Sequence, residues 1–244
     1  MQFRLPKPLH GWRAFVGEVG IIVLGVLIAL GAQQIVEAAN TRSEAAKSMH
    51  AIRVELAHSA GAFEERAFTQ SCLDRRLDEL VQIFGAARRT GRLPNVGHIS
   101  HPPIRPIPTS AWAWAGANKT SAQFDPKVRD ELSRIYSQGS DFWKDVIEEQ
   151  EMWATMRLLE NAPGPIDSAM LAEIGGTLER LRFRSALNGI DAEQLLGYIR
   201  KQGIQPDYVI PNDDRNINDR DLMVATIRSW SLCRPLQVNA ERRL

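Results

Sequence analysis

"GEVGIIVLGVLIAL", residues 17–30, is the most apolar stretch of the chain and holds a single full charge, Glu18. The run it belongs to extends from Ala14 to Val36. As a helix, about 23 residues measure roughly 34 Å, which matches the hydrocarbon core of a bilayer with slight tilt. A buried helix of a soluble domain rarely needs that length. Glu18 lies about one turn from Arg13, at the level expected for the interface, where a carboxylate stays hydrated or paired. Signal peptidase requires small residues around its cleavage point, and the best local fit is the weak Ala29-Leu30-Gly31. The stretch therefore reads as an anchor that is kept.

Composition confines the rest. Of 244 residues, 44% are hydrophobic and 24% charged, the balance of a globular protein with a full core. Lys and Arg number 30 against 29 Asp and Glu, a formal charge of +1, so no global field draws in nucleic acid or an acidic substrate. The mean hydropathy of -0.25 makes the apolar run a local feature on a water-soluble body rather than one span of many. Arg4, Lys7 and Arg13 precede the span and Arg42 and Lys47 follow it. This bias favours a cytoplasmic N-terminus, in the manner of an uncleaved signal anchor. The expected division is a cytoplasmic tail at 1–13, a transmembrane anchor at 14–36 and a periplasmic helical domain at 37–244.

The segment "WRAFVGEVGIIVLGVLIALGAQQIVE", with Trp12, Phe15, Glu18, Ile22, Gly25 and the Ile28-Ala29-Leu30 triplet, resembles the N-terminus of a group of bacterial single-pass membrane proteins classed by a domain of unknown function. The likeness extends more loosely to "SAWAWA" and the helix after it. It implies an inner-membrane protein and transfers no catalytic residue. Type IV pilins also join a basic leader to a glutamate and an apolar helix. Here Glu18 comes seventh after Gly11 rather than fifth, Arg13 intrudes, and the body lacks the strand patterns of a pilin head.

Beyond Val36, Met49, Ile52, Leu56, Phe63, Leu73, Leu77, Leu80 and Phe84 recur at helical spacing. Either one long amphipathic helix leaves the membrane as a stalk, or the Thr41/Glu44 capping-box pattern starts a second helix near Asn40. Residues 91–109, "GRLPNVGHISHPPIRPIPT", hold five prolines and no apolar period, which predicts an extended connection. Trp112 and Trp114 follow; a helix would point them to different faces and an extended segment to the same one. Asp125-Pro126 marks a helix start, and Val128, Leu132, Ile135, Phe142, Val146, Trp153 and Met156 define its apolar face. Asp167 caps a helix expected to end at Asn188-Gly189, Asp191 and Gln194 open another that stops at Gly203, and a last one runs from about Asp219 to Leu232. No strand stands out. The fold class is all-α, one N-terminal transmembrane helix continuing into a bundle of four or five helices.

Candidate chemistry is sparse. Cys72 and Cys233, an even pair in an exported domain, suggest one disulfide that pins the tail to the stalk. His98 and His101 in the proline loop, and His50 and His58 on the stalk, form no metal set. "DDRNINDRD" from Asp213 sets Asp214, Asn216 and Asn218 at calcium-loop positions, but Asp219 replaces the required glycine and Ala225 the glutamate. Gly139-Ser140-Asp141 lacks the strand and second glycine of a nucleophile elbow, and no phosphate loop or dinucleotide fingerprint occurs. No enzyme, metal or cofactor is expected on these motifs. Gly25, Ala29 and Ala32 make a face of small side chains that a second membrane helix can approach closely, a second copy included.

Protein binding is thus the expected role, as an accessory subunit of a membrane complex or an envelope scaffold. The contact is expected at Trp112 and Trp114 with Pro102, Pro103 and Pro106 of the loop, because aromatic anchors beside a semi-rigid proline segment suit a contact surface. The lipid bilayer and other membrane or periplasmic proteins are the partners implied, and nucleic acid is not. A sensor signalling through a partner, a small-ligand carrier and an enzyme without a linear motif are the alternatives.

Overall fold

Nothing interrupts the helix that begins at Trp12. A computed structural model, which describes residues 12–208 and 219–239, shows α1 as Trp12–Thr90, 79 residues without a break and about 120 Å long. The junction near Asn40 is helical. Thr41 does not cap a new helix there: its hydroxyl donates back to the Glu37 carbonyl at 2.8 Å, and Lys47 takes the Glu44 carboxylate at 2.8 Å. From Ala32 to Ala60 the chain has neither glycine nor proline, so nothing in it ends a helix.

The apolar part of α1 is exposed along its length, and burial begins at Ala45. From there two further long helices complete a three-helix body. Helix α3 (Pro126–Met156) starts where the Asp125 carboxylate accepts from Lys127 N at 2.9 Å and Val128 N at 3.4 Å. Helix α4 (Ser168–Lys201) starts where Asp167 accepts from Met170 N at 2.7 Å. The pairs Glu55–Tyr136, Phe63–Phe142 and Arg66–Glu149 show that α3 runs parallel to α1. Arg53–Gly203, Glu64–Arg200 and Asp78–Arg182 show that α4 runs antiparallel to it.

Two parallel neighbours need a connection that returns the length of the bundle. The proline segment supplies it. Extended at about 3.1 Å per residue, residues 91–109 reach roughly 59 Å, whereas a helix of that length would cover only about 29 Å. The strap delivers the chain to the short helix α2 (Ser110–Ala117) and a 3-10 turn, Thr120–Gln123. At the far end of the bundle, β1 (Arg92–Leu93) pairs antiparallel with β3 (Gly164–Pro165), and β2 (Asn95–Val96) with β4 (Val238–Asn239). These two-residue strands are too short to leave a period-2 signal in the sequence.

The expected turn at Asn188-Gly189 is instead the middle of α4. Asn188 is fully buried and donates to Glu149 at 2.7 Å, and a Cβ on residue 189 would lie 2.6 Å from the Gln70 amide oxygen. The dipeptide serves close packing of α4 on α1. Among the described residues the core falls into three apolar clusters, a small one of Tyr208, Met223 and Ile227 under the tail and two along the bundle. Of those two, one gathers Ile52, Leu56, Phe63, Leu132, Leu195 and Ile199; the other gathers Leu73, Leu77, Trp153, Met156, Leu178 and Leu181. Between them sits a polar layer of Arg66, Glu149, Ser185 and Asn188, all buried.

Helix α5 (Arg220–Ser229), capped by Asp219, leads to a 3-10 turn, Ser231–Cys233. Cys72 and Cys233 are joined, with an Sγ–Sγ distance of 2.05 Å. One turn along α1, Arg76 is 1% exposed and donates to the carbonyls of His98 (3.4 Å), Ser231 (3.2 Å) and Arg234 (2.6 Å). Its Nε meets Glu79 at 3.0 Å. The tail is therefore clamped to the stalk by a covalent bond and a buried guanidinium.

The bridge closes a separation of 161 residues, for which chain entropy gives a stabilisation of about 5 kcal/mol. Both cysteines should resist alkylation in the native and denatured protein until reductant is added, as read by intact mass. The Cys72→Ser, Cys233→Ser double variant should unfold at a lower temperature.

Candidate interaction surface

The strap is held by carboxylates and an amide projecting from α1, α3 and the segment that follows α3. Glu65 of α1 receives Arg105 through Nε and Nη2, at 3.0 to 3.1 Å, in a two-pronged pair. Gln150 of α3 donates to the Pro102 carbonyl at 2.9 Å. Glu160 accepts from Ile99 N at 2.8 Å and stands 3.2 Å from His98 Nδ1.

Glu55 ends the strap. Its Oε2 accepts from Ser110 Oγ at 2.8 Å and Ala111 N at 2.9 Å, and its Oε1 accepts from Tyr136 OH at 2.7 Å. Thr109, next to the start of α2, makes no side-chain cap bond, so a glutamate from another helix satisfies the free N–H end of α2. Burial, and then the hydrogen bond to the Glu55 carboxylate, drive the Tyr136 hydroxyl far above its ordinary range.

Helix α2 separates the two tryptophans. Trp112 turns inward and stacks on Tyr136, with centroids 5.4 Å apart and planes 8° from parallel. Trp114 is 50% exposed. The expected paired contact is thus one core residue and one surface residue. In the strap Pro102 is buried, Pro103 half-buried and Pro106 exposed, beside an exposed Ile104. Between strap, α1 and the segment before Tyr208 lies an open groove of about 570 Å³ lined by Val54, His58, Pro108 and Ala111. A smaller hollow of about 200 Å³ next to it is lined by His58, Glu65, Arg105 and Tyr208. Gly61 lets that segment lie across α1: a Cβ there would fall 2.0 Å from the Asp207 carbonyl oxygen.

Other sequence candidates remain apart. His101 Nδ1 faces the Pro102 carbonyl at 2.9 Å, His50 and His58 are exposed on α1, and among the described residues no three His, Cys, Asp or Glu gather as a metal set. Gly139-Ser140-Asp141 lies inside α3. Asp214, Asn216 and Asn218 lie outside the described residues, while Asp219 caps α5 through Asp221 N and Leu222 N. Gly25, Ala29 and Ala32 are exposed along α1.

The side chains that fasten the strap and the layer beneath it, Glu55, Glu65, Arg66, Arg105 and Glu149, were not singled out from the sequence. Glu149 left a trace, three residues after Val146 and four before Trp153 on the apolar face of α3.

Fold and surface together define an all-α protein in which one apolar N-terminal helix continues into a helical bundle carrying a strap. No protein-family model, no curated protein and no solved structure matches the chain.

Burial raises the Glu65 carboxyl above its ordinary value of 4.5, against the lowering pull of Arg105. Between 4.5 and the raised native value, the native state keeps a proton that the unfolded chain has released. Stability from this group therefore falls as pH rises through that window. The wild type should gain stability relative to Glu65→Gln when the pH is lowered from neutral toward 4.5; a difference in Tm that does not change with pH would contradict this.

The tryptophans should also part company on substitution. Trp112→Ala should lose about 2 kcal/mol through its stacking and packing, and Trp114→Ala should stay within about 0.5 kcal/mol of wild type, both read by denaturant unfolding with the disulfide intact.

Proposed function

We propose that the protein is a single-pass membrane protein with its N-terminus in the cytoplasm and its bundle in the bacterial periplasm. It works by binding other proteins, as accessory subunit of a membrane complex or as envelope scaffold. One observation carries the reading: a single unbroken helix exposes its whole apolar stretch and then contributes its continuation to the core of a folded body. Exposed apolar surface of that extent is stable in lipid, not in water. The disulfide accords with an oxidising compartment, and the likeness of the Trp12 to Glu37 segment to bacterial single-pass anchors points the same way.

The helix itself offers a partner surface. Gly25, Ala29, Ala32, Val36, Ala39, Ser43 and Ala46 alternate by four and three along one face, every one of them exposed. That is the spacing of a helix-packing seam, with side chains small enough for close approach. It runs from the apolar stretch into the neck of about 13 Å that separates Val36 from the first buried residue, Ala45. Trp114, Ile104 and Pro106 give a second, bundle-level surface with an aromatic anchor. A small-ligand carrier has less support, because the open grooves enclose little and the cavity beneath the strap holds about 30 Å³.

Purification from native membranes in gentle detergent, with native mass spectrometry of the particle, tests this. A second protein in fixed ratio marks an accessory subunit, and a homo-oligomer marks a scaffold; a monomer overturns the reading. Ala29→Leu or Trp114→Ala should reduce recovery of the partner by about tenfold, the effect of removing roughly 1.4 kcal/mol of interface energy.

A further inference from the structure

A small cavity lies between α1, α3 and the proline strap, beside the polar layer. Pro102, Pro103 and Phe142 form its apolar side, and Arg66, Thr69 and Gln150 its polar side. Its volume of about 30 Å³ has room for about two water molecules.

One wall group is incompletely bonded. Arg66 is 8% exposed. Its Nη2 donates to Glu149 Oε1 at 3.1 Å, to the Ser185 carbonyl at 3.0 Å and to Ser185 Oγ at 3.2 Å, and its Nη1 lies 3.1 Å from Glu149 Oε2. Its Nε finds no acceptor among the described residues. A buried donor in that condition is rare in native proteins, and a polar, adequately sized cavity next to it is where the acceptor sits.

Charge decides what that acceptor is. Two ion pairs border the cavity, Arg66–Glu149 and Arg105–Glu65, and each is balanced within itself. An anion or a cation placed there would be a lone buried charge, which a low-dielectric interior disfavours strongly. The occupant is therefore uncharged. It must accept from Arg66 Nε, and it can donate to Thr69 Oγ1, whose own proton is committed to the Glu65 carbonyl at 2.7 Å and whose lone pairs remain for a donor. A molecule that both accepts and donates, in the space of two solvent molecules, is water.

We propose that this cavity is a built hydration site holding about two water molecules, one of which accepts from Arg66 Nε and donates to Thr69 Oγ1. The water joins the strap to the polar layer and completes the hydrogen bonding of the guanidinium that all three long helices surround.

The sign of one substitution separates a wet cavity from a dry one. Val146 lines the wall and is buried, so Val146→Ile in the full chain adds a single methyl group to the space. If water is held there, the methyl displaces it, strands Arg66 Nε and lowers Tm by about 3 °C; if the cavity is dry, filling it raises Tm, which overturns the proposal. A fall can also come from crowding, so the chain labelled with 15N at arginine Nε is read for exchange cross-peaks with water. A peak between water and the Arg66 Nε proton in the wild type, lost in Val146→Ile, is the expected result; no such peak in the wild type overturns the proposal whatever the change in Tm.

Discussion

Glu149 has no exposed surface, yet it sits among three helices as a carboxylate. It is tolerable there because each neighbour contributes a donor: Arg66 from α1, Asn188 from α4 at 2.7 Å, and Trp153 Nε1 from its own helix at 3.3 Å. Removing one partner of such a buried pair typically costs about 3 to 5 kcal/mol, because the remaining charge is left without compensation. The layer admits only the register in which Arg66, Glu149, Ser185 and Asn188 meet, so it decides how the apolar clusters on either side are assembled.

The strap follows from that arrangement. With α3 parallel to α1, the chain must travel back along the bundle, and prolines make the returning segment extended and stiff at little entropic cost. A segment without regular internal hydrogen bonds then needs external partners, which α1 and α3 provide through Glu55, Glu65, Arg76 and Gln150, and the segment after α3 through Glu160. These attachments leave Ile104 and Pro106 of the strap exposed, as Trp114 of α2 is. The same stalk holds the other end of the chain through Cys72 and Arg76, so α1 is the common support for strap, tail and bundle.

Continuity of α1 has a mechanical consequence. No turn separates its apolar length from its buried length, so the two share one helix without a loop to act as a hinge. A bundle joined through glycine or proline would be free to reorient; this one is oriented by the helix that it encloses.

Much of this was legible from local chemistry. Apolar periodicity placed the long helices, Asp125-Pro126, Asp167 and Asp219 marked their starts, the proline run marked the extended connection, and the paired cysteines suggested the bridge. Each signal lies within a few residues and depends on propensities that hold wherever the segment is placed. The Asn188-Gly189 break misled for the opposite reason. Its turn chemistry is local, whereas the hydrogen bond to Glu149 and the close passage of Gln70 that keep it helical come from residues far away in sequence.

The sequence by itself thus determined the all-α class, the apolar N-terminal helix, the starts of α3, α4 and α5 and the strap's extension. The tertiary structure alone decided that α1 is unbroken, that Trp112 faces the core while Trp114 faces outward, and that Glu55, Glu65, Arg66, Arg105 and Glu149 act as buried fasteners. A charged side chain has the same helical propensity on a solvent face as in a core; its role depends on which distant partner compensates it, and only the assembled bundle brings that partner within hydrogen-bonding distance.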